Sequence, residues 1–168
     1  MVSPVEVPPV RVETAGPADH ARIAELTVGV YRSEGYGSPA YERQLADVAG
    51  RAERSTLLVA RDGDGRVVGS VALVLDGELG EVLVAPDEAG FRMLVVDPAV
   101  RGGGVGELLV TECMTRARLA GKRRMVISTE PGMGAAHRLY GRLGFTRLPE
   151  RDWSPQPGIA LLVYARDL

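Results

Sequence analysis

The sequence predicts a single α/β (α+β) domain, in which about four helices flank a mixed central β-sheet of about six to seven strands. Its 168 residues match the usual size of one domain, which is about 100 to 200 residues. Two runs rich in Val and Leu, joined by a tight turn, indicate an antiparallel hairpin. Two later strands, each followed by an amphipathic helix, indicate that the sheet is mixed.

The first half of the chain is expected to hold a leader, two helices and the hairpin. Residues 1–9 carry three prolines and little to bury, which predicts a flexible leader before a domain over residues 10–168. Pro17 opens a helical pattern, and Asp62-Gly63-Asp64-Gly65 favours a hairpin turn. The expected elements are a strand at 10–12, helices at about 17–31 and 40–53, and strands at 56–61 and 66–75.

The second half alternates strands with helices. A strand over Phe91–Val96 ends at Asp97-Pro98, because proline cannot continue a ladder. The helix that follows, over residues 104–121, has one apolar face: Gly106, Leu109, Val110, Cys113, Met114, Ala117, Ala120 and Gly121. A strand over 125–129 precedes a second apolar helix stripe over 136–143, and strands over 145–148 and 159–166 follow.

Charge and composition exclude several classes of function. With 20 basic and 22 acidic residues and a net charge of -2, no positive field favours nucleic acid or an anionic membrane. One cysteine and two histidines are too few for an internal disulfide or the usual zinc sites, so no metal is expected. The N-terminus resembles no secretory signal and no apolar run is long enough to span a bilayer, so a cytoplasmic protein is expected.

A strand, a glycine-rich turn and a helix start follow one another from Leu94 to Gly106. Glycines let a phosphate approach the backbone, and the free amides and dipole of a helix start attract negative charge. Arg101 adds a positive charge beside this turn. A nucleoside-triphosphate loop would need Lys and Ser or Thr after Gly106, and a dinucleotide fingerprint would need glycine at Glu107, so neither fits.

Two motifs together resemble the GNAT superfamily of N-acetyltransferases. The first is Arg101-x-x-Gly104-x-Gly106 after a strand that ends Val-Asp-Pro, and it resembles the pyrophosphate-binding motif of that family. The second, Ala136-x-x-Leu139-Tyr140-x-x-Leu143-Gly144-Phe145, resembles a second family signature at the usual separation. The resemblance extends from about residue 10 to the C-terminus, although the first 60 residues carry no specific motif.

The resemblance implies that acetyl-CoA is a co-substrate and that an amine is the acceptor. The backbone of Leu94, Val95 and Val96 would pair with the pantetheine arm. The pyrophosphate would bind at Arg101, Gly102, Gly103, Gly104, Val105 and Gly106. Tyr140 would donate a proton to the departing thiolate, and the alternative for this residue is an aromatic packing position. Cys113, on the buried helix face, is expected to be a core residue and not a nucleophile.

Two positions depart from the family pattern. Gly90 stands where many relatives carry the glutamate that serves as general base, and Met133 stands where an asparagine is frequent. Substitute bases could come from Glu81, Asp87, Glu88 or Glu130, each of which is equally compatible with a solvated loop. The general base is therefore left unassigned at this stage.

The acceptor side carries weaker signals. Residues 76–90 contain five acids and no base, which suggests a cationic acceptor near Glu81 or else a solvated loop. Tyr31, Tyr36 and Trp153 could line an acceptor pocket, and Trp153 could instead anchor its loop to the core. The expected function is direct transfer of an acetyl group to a primary amine in a ternary complex. An inactive acyl-CoA-binding sensor or assembly module is the alternative, and homodimers are common among relatives.

Overall fold

The computed structural model describes residues 9–77, 82–83 and 85–168. Within these ranges it contains eight strands and five α-helices, one more of each than the upper end of the sequence-based expectation. The strands are β1 (Arg11–Thr14), β2 (Thr56–Arg61), β3 (Val67–Val74), β4 (Glu88–Val96), β5 (Arg124–Thr129), β6 (Thr146–Arg147), β7 (Trp153–Gln156) and β8 (Ile159–Asp167). The helices are α1 (His20–Ser33), α2 (Pro39–Ala46), α3 (Val48–Arg54), α4 (Val105–Leu119) and α5 (Gly134–Arg142). The expected leader lies outside the described residues, apart from residue 9.

The strands form one mixed sheet in the order β1-β2-β3-β4-β5-β8-β6, with β7 paired to β8. All pairs are antiparallel except β4 and β5, which run parallel. That parallel pairing covers only Glu88 with Arg124 and Ala89 with Met125. Beyond Ala89, no described strand pairs with β4 on its β5 side, so the two central strands separate.

A bulge in β4 lies where the strands separate. Ser70 pairs with Val95 and Ala72 pairs with Arg92, so the single residue Val71 opposes both Met93 and Leu94. Met93 adopts a φ of 54°, a conformation that is strained for a non-glycine residue. Bulges of this kind re-aim side chains and are frequent beside functional sites.

Helices cover both faces of the sheet. Most of the predicted apolar face of α4, from Leu109 to Ala117, is buried in the core cluster that also contains Phe91 and Tyr140. Ala120 and Gly121, which the sequence placed on this face, follow the end of the helix and are exposed. On the other face, Ile23 of α1 and Val48 of α3 pack against β2 and β3. Asp19 and Glu13 are joined by Arg61, whose Nη atoms donate to the Asp19 carboxylate at 2.9 and 2.7 Å.

Two sequence-based expectations about elements were wrong. The helix expected over residues 40–53 is two helices, because Asp47 leaves helical geometry and its side chain caps α3 by accepting the Gly50 N–H at 3.1 Å. The segment around Trp153, expected to be a loop because of its two prolines, forms β7. Its irregular pairing to β8 tolerates the missing donor of Pro155. None of the described helices is long and apolar enough to cross a membrane.

Candidate active site

A cavity of about 740 Å³ occupies the space between the separated halves of β4 and β5. Its lining includes most of the residues predicted from the sequence: Tyr31, Tyr36, Leu94, Val95, Val96, Arg101, Gly102, Gly104, Val105, Gly106 and Tyr140. Gly103 belongs to the same turn but does not line the cavity. Another part of the wall comes from the end of β5 and the start of α5, including Thr129 and Met133.

The glycine-rich turn presents unpaired amides to this cavity. Gly102 and Gly104 have φ angles of 84° and 82°, which a residue with a side chain adopts only at a cost. The first hydrogen bond of α4 runs from the Leu108 N–H to the Gly104 carbonyl at 3.0 Å. Within the described part of the chain, no group accepts a hydrogen bond from the amides of residues 102–107. These amides and the helix dipole form an anion site.

Gly106 sets the distance between α4 and α5. A Cβ atom there would lie 3.3 Å from the Cδ2 of Leu139 and 3.7 Å from the Cγ2 of Val96. The missing side chain therefore lets the second signature helix approach the first motif closely. This contact carries Tyr140, one residue after Leu139, toward the end of β4.

Ion pairs hold the turn in place. Asp97 ends β4, accepts the Ala99 N–H at 3.0 Å and pairs with the Arg22 guanidinium at 2.8 Å. The hydrogen bond from the Ala99 N–H, and then the charge of Arg22, lower the pKa of Asp97. Arg101, the expected cation of the anion site, lies 3.3 Å from Glu34 at the end of α1. A bound phosphate would therefore compete with Glu34 for Arg101.

Tyr140 is held in an aromatic cluster but reaches the cavity. Its ring centroid lies 5.8 Å from Phe91, 5.7 Å from Phe145 and 6.1 Å from Tyr164. The residue is 6 % exposed, and its hydroxyl has no hydrogen-bond partner among the described residues. Burial raises the pKa of Tyr140 well above that of a free tyrosine, so the hydroxyl stays protonated. The ring therefore occupies an aromatic packing position, and the hydroxyl remains available to a ligand.

The carboxylates considered as bases differ sharply in their surroundings. Glu88 is buried and forms a two-point ion pair with Arg151, at 2.7 and 2.9 Å, so it is already engaged. Asp87 is exposed and does not line the cavity. Glu81 lies outside the described residues. Glu130 follows β5, and burial raises its pKa.

Glu130 directly follows the wall residue Thr129, and its charge acts on two tyrosines of the wall, although Glu130 itself does not line the cavity. The pKa of Tyr31 is raised first by burial, then by Tyr41 and Tyr140, with Glu130 contributing in the same direction. The pKa of Tyr36 is raised by burial and then by Glu130. The Tyr36 hydroxyl lies so close to Gly132 that a Cβ there would be 2.6 Å away. Tyr36 thus spans the cavity from the α1–α2 loop to the β5–α5 loop.

The other residues considered in the sequence lie elsewhere or contribute differently. Trp153 does not line the cavity and packs beside Val74, Val126 and Val163, which is the loop-anchoring alternative. Met133 lines the cavity, and its thioether sulfur accepts a hydrogen bond from the Thr129 hydroxyl at 3.3 Å. Asp76, from the acidic segment, is bonded to Lys122 at 2.8 Å. The described acids of that segment therefore do not line the cavity.

Cys113 belongs to the core and not to the cavity wall. Cys113 is fully buried in the core, and burial raises the pKa of its thiol, which disfavours the thiolate needed by a nucleophile. Among the described residues, no group of His, Cys, Asp and Glu side chains could hold a metal ion.

Sequence reasoning missed the charged groups of the cavity wall. Arg92 and Glu34 both line it, although Phe91–Val96 was interpreted only as an apolar strand and residues 33–39 only as a helix break. Arg92 is exposed between the buried residues Phe91 and Met93. A charged residue within an otherwise buried strand was the signal that could have identified it.

Two central strands that part around a cavity, a glycine turn with free amides at its end and a tyrosine beside it define an acyl-CoA-type acyltransferase site. The family model of the Acetyltransferase (GNAT) family matches residues 21–145. The chain belongs to this family, and it is an acyltransferase of the GNAT type, as the two motifs predicted.

Individual relatives agree with this assignment. An IAA acetyltransferase from Azospirillum brasilense is 27 % identical over 154 residues, which cover 90 % of this chain and 94 % of the relative. The structure of a GCN5-related N-acetyltransferase from Kribbella flavida is 26 % identical, with a TM-score of 0.71, and the match covers 95 % of this chain and 98 % of that one. The structure of yncA from Salmonella typhimurium with its cofactor acetyl-CoA is 22 % identical, with a TM-score of 0.68, and the match covers 95 % of this chain and 94 % of that one.

Proposed function

We propose that this protein transfers an acetyl group from acetyl-CoA to a primary amine by direct attack in a ternary complex. The observation that carries the proposal is a pair of unpaired backbone segments at one end of the sheet: the open edge of β4 and, after the hydrogen-bonded residues 97–100, the amides of residues 102–107. An extended pantetheine arm would pair with the first segment, and a pyrophosphate would bind the second. The acetyl-CoA seen with the Salmonella typhimurium relative supports the choice of donor.

In the proposed reaction the neutral amine attacks the thioester carbonyl and forms a tetrahedral intermediate. Collapse of this intermediate breaks the carbon–sulfur bond: the nitrogen gives its proton to a base, and the departing thiolate takes a proton from the Tyr140 hydroxyl, which solvent then reprotonates. Tyr140 donates a hydrogen bond to the sulfur as negative charge develops there. Its raised pKa keeps the hydroxyl protonated and makes it a stabilising donor over the whole working pH range.

Glu130 is the carboxylate that best fits the role of general base. Glu88 is tied to Arg151, whereas Glu130 lies near Tyr31 and Tyr36 at the acceptor side, and its pKa is raised. A raised carboxylate pKa brings the group closer to neutral pH, where it accepts a proton more effectively. Because Glu130 does not itself line the cavity, it would take the proton from the amine through a water molecule.

Initial-rate kinetics test this proposal. CoA release should be followed while the concentrations of acetyl-CoA and of an amine are varied together. A ternary complex predicts intersecting double-reciprocal lines, and Cys113→Ala should retain turnover because the thiol takes no part. Parallel lines, together with loss of turnover in Cys113→Ala, would indicate an acyl-enzyme instead. Binding of acetyl-CoA without turnover of any amine would favour the sensor or assembly module.

A further inference from the structure

A second cavity, of about 720 Å³, lies beside the first. It is enclosed by α3, the end of α2 and the ends of β3 and β4. Arg92 and Met93 line both cavities, so the two spaces meet at the β4 bulge. We call this second space the arginine pocket, after Arg51, Arg54 and Arg92 in its wall.

Arg51 is a buried cation without a carboxylate partner among the described residues. It is 8 % exposed, and its Nη1 donates to the carbonyls of Gln44 and Leu45, each at 3.2 Å. A guanidinium has five N–H donors, and in the described part of the chain the Nε and Nη2 donors find no acceptor. Burying a charge without a counter-charge is costly unless a ligand supplies one.

Arg92 brings a second unpaired cation to the same pocket. Like Arg51, it forms no ion pair or side-chain hydrogen bond with the described residues. The two groups are close enough to affect each other, because burial and then the charge of Arg92 lower the pKa of Arg51. An anion bound by both guanidiniums would replace this repulsion with charge-assisted hydrogen bonds.

Three acids also line the arginine pocket, and the charge of one of them, Asp47, acts to raise the pKa of Arg51. Asp47, Glu53 and Asp76 are all exposed, so solvent and salt screen their charges. Asp47 is engaged in capping α3, with its carboxylate 3.1 Å from the Gly50 nitrogen. Asp76 is bonded to Lys122. Among the described residues of the wall, Arg51 is therefore the one buried charge, and Arg92 is exposed to solvent as the acids are.

We infer that the arginine pocket binds the acceptor and that Arg51 and Arg92 hold an acidic group on it, either a carboxylate or a phosphonate. The preferred acceptors are then amines that carry an acid group, such as amino acids or aminophosphonates. The anion would lie in the arginine pocket, while the amine extends past the bulge toward Tyr31 and Tyr140. The inference rests on the proposed function, since it names the acceptor class of the same reaction.

Matched pairs of acceptors provide the test. Each pair consists of an amine with an acid group and its uncharged counterpart: an amino acid with its carboxamide, and an aminoalkylphosphonate with the corresponding amino alcohol. CoA release gives kcat and KM for each compound. We expect kcat/KM to be at least about tenfold higher for the acid member, as a charged hydrogen bond predicts.

Arg92 is the residue to change, because Arg51 also supports the carbonyls at the end of α2. Arg92→Gln should remove most of the acid preference by raising KM for the acid member alone, and Arg92→Lys should restore part of it. The matched control is Arg118→Gln, on the exposed face of α4 and outside both cavities. It removes the same charge and should retain the full preference.

The outcomes separate this inference from the proposed function. If both members of each pair are acetylated equally well, or if Arg92→Gln keeps the acid preference, the acceptor class is wrong and the acetyltransferase proposal stands. If neither member of any pair releases CoA but other primary amines do, the acceptor class is wrong and the proposed function stands; if no amine of a broad panel releases CoA while acetyl-CoA still binds, both are wrong. A preference for carboxylates over phosphonates, or the reverse, identifies which oxyanion the pocket fits.

Discussion

Replacement of Tyr140 by phenylalanine separates its two roles, since it removes the hydroxyl and leaves the ring. The contacts with Phe91, Phe145 and Tyr164 involve the ring, and the hydroxyl has no partner among the described residues. The free energy of unfolding should therefore change by less than about 0.5 kcal/mol. A hydrogen bond to a charged group is worth about 1.5 to 3 kcal/mol, so kcat should fall roughly 10- to 100-fold.

The assay measures kcat and KM for acetyl-CoA in Tyr140→Phe, with the unfolding midpoint in urea measured in parallel. Tyr164→Phe is the matched control, because Tyr164 belongs to the same aromatic cluster but does not line the cavity. It should keep full turnover. Full turnover in Tyr140→Phe would refute the donor role and leave Tyr140 as a packing residue.

Three further predictions concern the base, the glycine turn and a buried ion pair. In the parent protein, activity should fall as pH drops through the raised pKa of Glu130, because the protonated carboxyl cannot act as a base. Glu130→Gln should lower kcat and remove this pH-dependent fall. An unchanged pH profile would argue against this base. Gly104→Ala should weaken acetyl-CoA binding, measured by calorimetry, about tenfold and lower the free energy of unfolding by about 1 to 2 kcal/mol. The control Gly121→Ala, at a similar φ of 80°, should lower the free energy of unfolding by a similar amount and leave the affinity for acetyl-CoA unchanged. Hydrogen bonds from Arg61 lower the pKa of Asp19 in the folded protein. The contribution of Asp19 to the free energy of unfolding is therefore present above its unfolded-state pKa and is lost as pH falls through its folded-state pKa. Asp19→Asn should therefore lose about 1.5 to 3 kcal/mol at pH 7 and show a flatter pH dependence in urea unfolding, while Glu42→Gln, in a more exposed pair with Arg32, should change little.

The donor side of the site was predictable because its chemistry depends on local sequence. Free amides need glycines at a helix start, and the Arg101 to Gly106 turn contains them beside a strand that ends in proline. The second signature could be recognised in the same way, and Gly106 against Leu139 shows why the two motifs occur together. These features depend on near neighbours in the chain and on one close helix contact.

The acceptor side depends on contacts between distant segments, which no local pattern reveals. Arg51 and Arg92 are 41 positions apart (92 minus 51), and only the folded chain places both in the wall of one pocket. The acidic segment was suggestive from composition, but its described members Asp76 and Glu88 are engaged by Lys122 and Arg151. Charge counts could not distinguish a paired carboxylate from a free one. The expectation of a cationic acceptor near Glu81 stays a prediction, because Glu81 lies outside the described residues.

Thermal unfolding with and without acetyl-CoA tests most directly the claim that the open edge of β4 and the glycine turn bind the donor. At about 100 times its dissociation constant, a ligand stabilises the folded state by roughly 2.7 kcal/mol. For a domain of this size, that corresponds to a rise in Tm of roughly 5 to 10 °C. We expect this rise with acetyl-CoA and with CoA, and none with NAD. No rise with either CoA compound would contradict the account.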